Sequence, residues 1–366
     1  MKEEIGKYFP FKPESIGPPD IYLGGQLRQV QVENGMRCWS IGSSKYIQAS
    51  IKNVEDYLAN RDLKLPTKAK TPFASNYRPE LDVTYQLDPD GASYFQSLIG
   101  ILRWIVELGR VDICLEVSIL SSQMALPRKG YLFQAMHIFA YLKKFHNAEM
   151  TLDPSDPTVD MSLFQRQDWT SAEFDPNITE ELPHLMPEPL GKGFTIRAFV
   201  DADHAGDTIT RRSRSGFLVF LNMAPIYWTS KKQTSVETSS FGSESTAMKQ
   251  CTEYIRGLRY KLRMMGIPCN GPSFVLGDNQ SVLYNTTLPD SVLKKKSQGI
   301  AYHFVREGCA RDEWRTAYVN THCNPADLLT KPLPSSDKRE SFVKMILHHI
   351  FREKKRKRIT NSPHVE

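Results

Sequence analysis

No segment of this chain approaches the roughly 20 consecutive apolar residues that a membrane-spanning helix needs. The longest apolar region, Ser97 to Leu120, is interrupted by Arg103, Glu107, Arg110, Asp112 and Glu116, so no transmembrane helix is expected. No apolar run follows the early charges of Met1-Lys-Glu-Glu-Ile-Gly6, and a secretory signal is not expected either. Cysteine is sparse: Cys38, Cys114, Cys251, Cys269, Cys309 and Cys323 are the six in 366 residues, and none forms a Cys-x-x-Cys pair. That spread argues against a disulfide framework or a zinc ribbon and suits a reduced, intracellular protein.

What is present is an ordinary globular balance, 40% apolar and 24% charged, in a chain long enough for two domains. The net charge of +6 permits nucleic-acid binding without demonstrating it. Its distribution is more informative. Between Glu149 and Gly191 ten acids face one base, Arg166, and six prolines (Pro154, Pro157, Pro176, Pro183, Pro187, Pro189) punctuate the segment. Removing this net −9 from +6 leaves about +15 for the flanking blocks, a division that marks them as basic. The composition predicts an extended linker over 149–193, between a first block at 1–148 and a second at 194–351, with a basic tail at 352–366.

In the first block, residues 21–50 read as short strands with turns at Gly24-Gly25 and Asn34-Gly35, running into a helical stretch through Tyr57. Residues 66–89 look irregular, and 93–108, 112–124 and 129–145 carry helical apolar spacing. After the linker, Phe194, Ile196, Ala198 and Val200 alternate with Thr195, Arg197 and Phe199, the pattern of a strand with one face in the core. Two more strands follow at 216–221 and 226–230, then a long helix over 244–265 stopped by Gly266, a strand at 274–276, short helices at 280–284 and 300–309, a strand at 315–319 and a closing helix over 337–351. The order β-β-β-α-β-α-α-β-α describes a mixed sheet flanked by helices, an α/β fold.

Four acids stand where that layout brings distant segments together: Asp201 ends the first strand, Glu244 opens the long helix, Asp278 follows the fourth strand and Asp327 precedes the last helix. They are 43, 34 and 49 residues apart. Clustered carboxylates repel unless a cation lies between them, and hard oxygen ligands select Mg2+ or Mn2+. Two such ions about 3.5–4 Å apart hydrolyse phosphodiesters. With 41 acids in the chain, spacing alone does not single these four out, and the local sequences decide.

Phe199-Val-Asp-Ala-Asp-His-Ala-Gly-Asp207, Arg211-Arg-Ser-Arg-Ser-Gly-Phe217, Tyr227-Trp-Thr-Ser-Lys-Lys-Gln233, Val236-Glu-Thr-Ser-Ser-Phe-Gly-Ser-Glu244, Gly277-Asp-Asn-Gln-Ser281 and Ala326-Asp-Leu-Leu-Thr-Lys-Pro332 closely resemble the ribonuclease H domain of copia-type LTR retrotransposon Pol polyproteins. The resemblance implies a ribonuclease H-like mixed five-stranded sheet and hydrolysis of the RNA strand of RNA–DNA hybrids. It also implies two Mg2+ or Mn2+ ions held by Asp201, Glu244, Asp278 and Asp327 as catalytic carboxylates. Tyr22-Leu-Gly-Gly25, Tyr94-Phe-Gln-Ser-Leu-Ile-Gly100 and Ala140-Tyr-Leu-Lys-Lys144 make the first block similar to the end of the reverse transcriptase and its connection. A cytoplasmic virus-like particle or the nucleus is the implied location, and the implied partners are the hybrid and the missing polymerase part of Pol. The chain departs from the family at Gly242, where many members carry a second glutamate, and at Ser297, where they carry His. No adjacent Asp-Asp pair occurs, so the polymerase centre is expected to be missing and the chain to be a truncated element. The rival reading is a catalytically silent, vestigial hybrid-binding protein. Integrase shares the broad fold, but its three-acid pattern and zinc-binding segment are not evident.

Each candidate has a plainer alternative. Asp203 lies on the face of Asp201 if the strand continues, which makes it a further ligand candidate. Arg211, Arg212 and Arg214 suit phosphate contacts that position a hybrid without reading it, or form a solvated turn. Asn279 and Gln280 suit sugar hydroxyls, where RNA is told from DNA, or local turn bonding. His303, Cys309, His322 and Cys323 match no usual zinc spacing and read as core and surface residues. The basic run Lys354-Lys-Arg-Lys-Arg358 reads as a nuclear-import signal, a nucleic-acid tail or a solvated terminus.

Overall fold

A computed structural model of the chain describes residues 6–8, 10, 17–32, 35–172, 174–175, 177–269, 271–293 and 295–348. The basic run at 354–358 and Asn34 of the expected turn lie outside them. The first block opens with an antiparallel sheet of β1 (Ile21–Tyr22), β2 (Gly25–Gln31) and β3 (Arg37–Gly42). Helices α1 (Ser44–Ala59), α2 (Pro89–Glu107), α3 (Cys114–Ser121) and α4 (Lys129–Lys144) follow. The start of α2 is set locally: the Asp88 carboxylate accepts from the Gly91 N–H, and Pro89, with no N–H to satisfy, takes the first position.

The acidic segment, expected as an extended linker, is packed against both blocks. Its first four residues form β4 (Glu149–Leu152), paired with β3 so that Ile41 lies opposite Met150. Met150 and Thr151 are buried there, while the Glu149 carboxylate accepts from Arg28 and Ser40 at 2.7 and 2.9 Å. Beyond β4 the described residues of the segment form only short 3-10 turns, yet it is strapped down. Phe164 packs on Phe274, Trp169 lies beneath Arg306, and Glu180 sits 2.6 Å from both Arg259 and Arg263. Glu180 and Glu181 thus meet bases of the second block, Glu181 through Arg311 at 2.8 Å.

The second block contains β5 (Ile196–Asp203), β6 (Arg214–Leu221), β7 (Ala224–Lys232), α5 (Ser240–Met264), β8 (Ser273–Gly277), α6 (Gln280–Thr287), α7 (Gly299–Ala310), β9 (Trp314–Tyr318) and α8 (Asp337–Ile346). The sheet order is β7-β6-β5-β8-β9, antiparallel from β5 to β7 and parallel from β5 through β8 to β9. This is the ribonuclease H-like mixed five-stranded sheet. Both faces of β5 are covered, against the expectation of one. Ile196, Ala198 and Val200 pack under α5 and α7, whereas Phe199, with Leu218 and Phe220, joins a core shared with α8 and the helices of the first block. The two blocks are therefore fused through one apolar core. No helix among the described residues is long and apolar enough to cross a membrane.

Candidate metal centre

Because β5 and β8 run parallel, their C-terminal ends emerge at one edge of the sheet. Asp201 lies near the end of β5 and Asp278 just past the end of β8. Helix α5 begins four residues earlier than its apolar pattern predicts, because the Ser239 hydroxyl accepts from the Gly242 N–H and caps it. Glu244 is thus one turn inside the helix, and its carboxylate joins the other two. One oxygen from each of Asp201, Glu244 and Asp278 lies within 4.8 Å of the others. An all-oxygen set of this size suits a hard divalent cation.

The surroundings fix each acid. Asp201 is fully buried and Gly216 is its cross-strand partner on β6. A Cβ at Gly216 would stand 2.7 Å from Leu329 Cβ and Thr330 Cγ2, so only glycine lets the 3-10 turn Pro325–Leu329 press onto the sheet. Asn324 anchors that turn, donating to the Val200 carbonyl at 2.9 Å. The Thr330 hydroxyl then donates to Asp201, and the Thr321 hydroxyl donates to Asp278 at 2.9 Å. Burial raises the pKa of Asp201 and Glu244, and the negative charge of their neighbours adds to it: Asp327 and Asp278 for Asp201, Asp201 and Asp278 for Glu244. A cation would offset both effects.

Asp327 is not brought into this trio. It is 1% exposed, and its two oxygens are taken by Lys331 at 2.9 Å and Lys338 at 2.6 Å. Lys331 also reaches Asp201 at 3.2 Å. Asp203 shares the Asp201 side of β5 but stands outside the trio, beside the charges of Lys331, Arg78 and Arg214, and burial raises its pKa. It lines a cleft of about 470 Å3 walled on one side by residues 71–80 of the first block. There Arg78 donates to the Gly206 carbonyl at 3.1 Å.

The expected nucleic-acid contacts divide. Arg211 and Arg212 are exposed on the loop between β5 and β6. Arg214 is not: it is 8% exposed, lies in β6 and donates to the Ser118 hydroxyl of α3 at 2.8 Å, so it ties the two blocks together. Its place in the strand, where alternation turns it toward α3, removes it from the phosphate-binding set. The Asn279 side-chain carbonyl caps α6 by accepting from Val282 N–H, leaving its amide NH2 as the group able to meet a sugar, and Gln280 is exposed beside it. At Gly242, Glu237 fills the space a side chain would need, its carboxylate accepting from Gln298 at 2.7 Å, and Ser297 lies exposed in the adjacent turn. Cys309 is buried and Cys323 exposed.

Sequence reasoning did not single out Lys331, Thr330, Lys338 or Arg78. Lys331 had a readable signal, since it stands four residues after Asp327, the spacing of a helical ion pair. Lys338 and Arg78 had none.

No family model matches the chain. The retrovirus-related Pol polyprotein from transposon RE2 of Arabidopsis thaliana is 26% identical over 278 residues, which cover 76% of this chain and 16% of that protein. The corresponding polyprotein from transposon TNT 1-94 of Nicotiana tabacum is 24% identical over 338 residues, 91% of this chain and 22% of that one. The chain thus matches between a sixth and a quarter of the length of these relatives. Among solved structures, RNase H1 from Halobacterium salinarum NRC-1 is 15% identical and aligns over 37% of this chain and 94% of its own, with a TM-score of 0.30.

Proposed function

We propose, proceeding from homology to the retrovirus-related Pol polyproteins of copia-type transposons, that this chain is a metal-dependent ribonuclease that cuts the RNA strand of RNA–DNA hybrids. The observation that carries the reading is the trio of Asp201, Glu244 and Asp278, three carboxylates from β5, α5 and the end of β8 held within 4.8 Å of one another. Like charges gathered at a sheet edge raise the energy of the empty site and favour a cation. These residues would hold Mg2+ or Mn2+, which supplies Lewis-acid stabilisation and an activated water when bound.

The chain's own groups do the rest. Thr330 and Lys331 orient Asp201, one at each oxygen, and Thr321 orients Asp278 by donating to one oxygen, leaving the remaining lone pairs for a ligand. Arg211 and Arg212 would meet backbone phosphates and fix the duplex without reading bases. The free amide NH2 of Asn279 and the exposed Gln280, next in sequence to Asp278, would reach the 2′-hydroxyl that distinguishes RNA. Polymerisation needs the rest of Pol, and that part of the polyprotein is the partner implied.

The test is cleavage of a labelled RNA–DNA hybrid by the purified chain with Mg2+ or Mn2+, beside single-stranded RNA, duplex DNA and an Asp201→Asn control. Hybrid cutting that requires the metal and falls on the order of 10^3-fold in the control is the expected result. A folded chain that binds hybrid yet never cuts it would make this a silent hybrid-binding protein instead.

A further inference from the structure

Asp327 and its two lysines give the carboxylate site a feature that the trio alone does not have. Both oxygens of Asp327 are engaged, with Lys331 at 2.9 Å and Lys338 at 2.6 Å, in a place that is 1% exposed. Recruiting it as a metal ligand would displace both lysines from a carboxylate that solvent does not reach, and separating a buried charge from its partner is strongly unfavourable. Lys331 is shared: its ammonium also lies 3.2 Å from Asp201, so one fixed positive charge bridges a trio acid and the fourth acid. That is where a second metal ion, held by the same two carboxylates, would otherwise have to lie.

We infer that Lys331 is a built-in counter-cation, its ammonium standing beside Asp201 and Asp327 in place of a second metal ion, so that the site loads a single divalent ion. The inference rests on the trio being a metal site. The charge count agrees with it. Asp201, Glu244, Asp278 and Asp327 set against Lys331 and Lys338 leave two negative charges, which one divalent ion neutralises. The hold on Lys331 is also local and firm. Asp327 and Lys331 are four residues apart around the turn Pro325–Leu329, and Asn324 and the missing side chain of Gly216 keep that turn seated against β5 and β6. Lys331 is therefore a positioning residue. It meets both oxygens of Asp201 at 3.2 Å and holds a positive charge between Asp201 and Asp327.

The experiment counts ions, without nucleic acid and apart from cleavage. Mn2+ binding to the full chain is followed by loss of the free-ion paramagnetic resonance signal, and Mg2+ binding by titration calorimetry. The wild-type chain and Lys331→Arg are expected to take one ion, whereas Lys331→Met and Lys331→Gln take two. The second ion disappears again when Asp327→Asn is added. Two substitutions of different shape are used so that poor folding of one, read by near-ultraviolet dichroism, leaves the other to decide. Two ions in the wild type, or one in a folded Lys331→Met or Lys331→Gln, overturns the inference and leaves the nuclease reading intact. No ion in the wild type overturns the metal-site reading with it.

Discussion

Where the first block meets α8, Arg110 grips Asp112 through both carboxylate oxygens at 2.8 Å, the Tyr141 hydroxyl donates to the same carboxylate at 2.8 Å, and Arg339 donates to the Asp112 carbonyl at 3.0 Å. At the sheet edge Asp201 is just as buried, yet the groups nearest to it include two further acids that have joined it. Burial alone would raise the Asp112 pKa, but Arg110 outweighs it and holds that carboxyl below its ordinary value. At Asp201 and Glu244 burial wins, and like charge adds to it. The first cluster is complete within the chain and binds the blocks together. The second is short of positive charge, and that deficit is what a ligand would supply.

The contrast is broken most sharply by neutralising one acid from each cluster. Asp201→Asn, the variant expected to lose cleavage on the order of 10^3-fold, relieves repulsion at the edge, and its melting temperature is expected to equal or exceed that of the wild type. Asp112→Asn leaves the buried Arg110 without its counter-charge and is expected to lower stability by about 3–5 kcal/mol, measured by denaturant unfolding. Comparable destabilisation by both would mean that the Asp201 cluster is merely structural.

The strap offers an intermediate case, an acid satisfied by bases from another segment. Burial raises the Glu180 pKa, but Arg259 and Arg263 outweigh it and hold the carboxyl down to about 2. A folded-state value below the ordinary one of about 4.5 means that this ion pair stabilises fully above that pH and is lost as pH falls toward 2. Glu180→Gln should therefore cost about 2 kcal/mol near neutrality and nothing near pH 2, so the two stability curves converge in acid. Parallel curves would show that the strap is held by Trp169 and Phe164 instead.

Much of this architecture was legible because local patterns carried it. Period-two alternation located β5, and the motifs around Asp201, Glu244 and Asp278 named the acids that the fold brings together. What was hidden depends on partners far away in sequence. The segment 149–193 read only as an extended linker because nothing local reveals that Arg259 and Arg263 face Glu180 or that β3 needs a neighbour. Phe199 looked like the outer face of a strand because α8 and the first block cover it from more than 50 residues away on either side. Asp327 looked equivalent to the other three acids because a carboxylate motif does not show whether lysines have already claimed it.

The same limit governs the three arginines of Arg211-Arg-Ser-Arg214, and they give the finest version of the comparison. In sequence they are one basic patch; in the fold Arg211 and Arg212 face solvent, while Arg214 is shut between Ser118 and Ser230. An exposed arginine that meets a phosphate adds affinity by releasing a counterion, so its removal lowers the salt dependence of binding by about one unit of slope and weakens all hybrids alike. A buried arginine that ties two blocks together contributes nothing to that slope. Hybrid binding measured across a salt series should therefore flatten for Arg211→Ala and Arg212→Ala with unchanged melting temperatures. Arg214→Ala should keep the wild-type slope and melt several degrees lower. A flattened slope for Arg214→Ala with stability intact would return it to the nucleic-acid surface and open the seam between the blocks as part of the substrate groove.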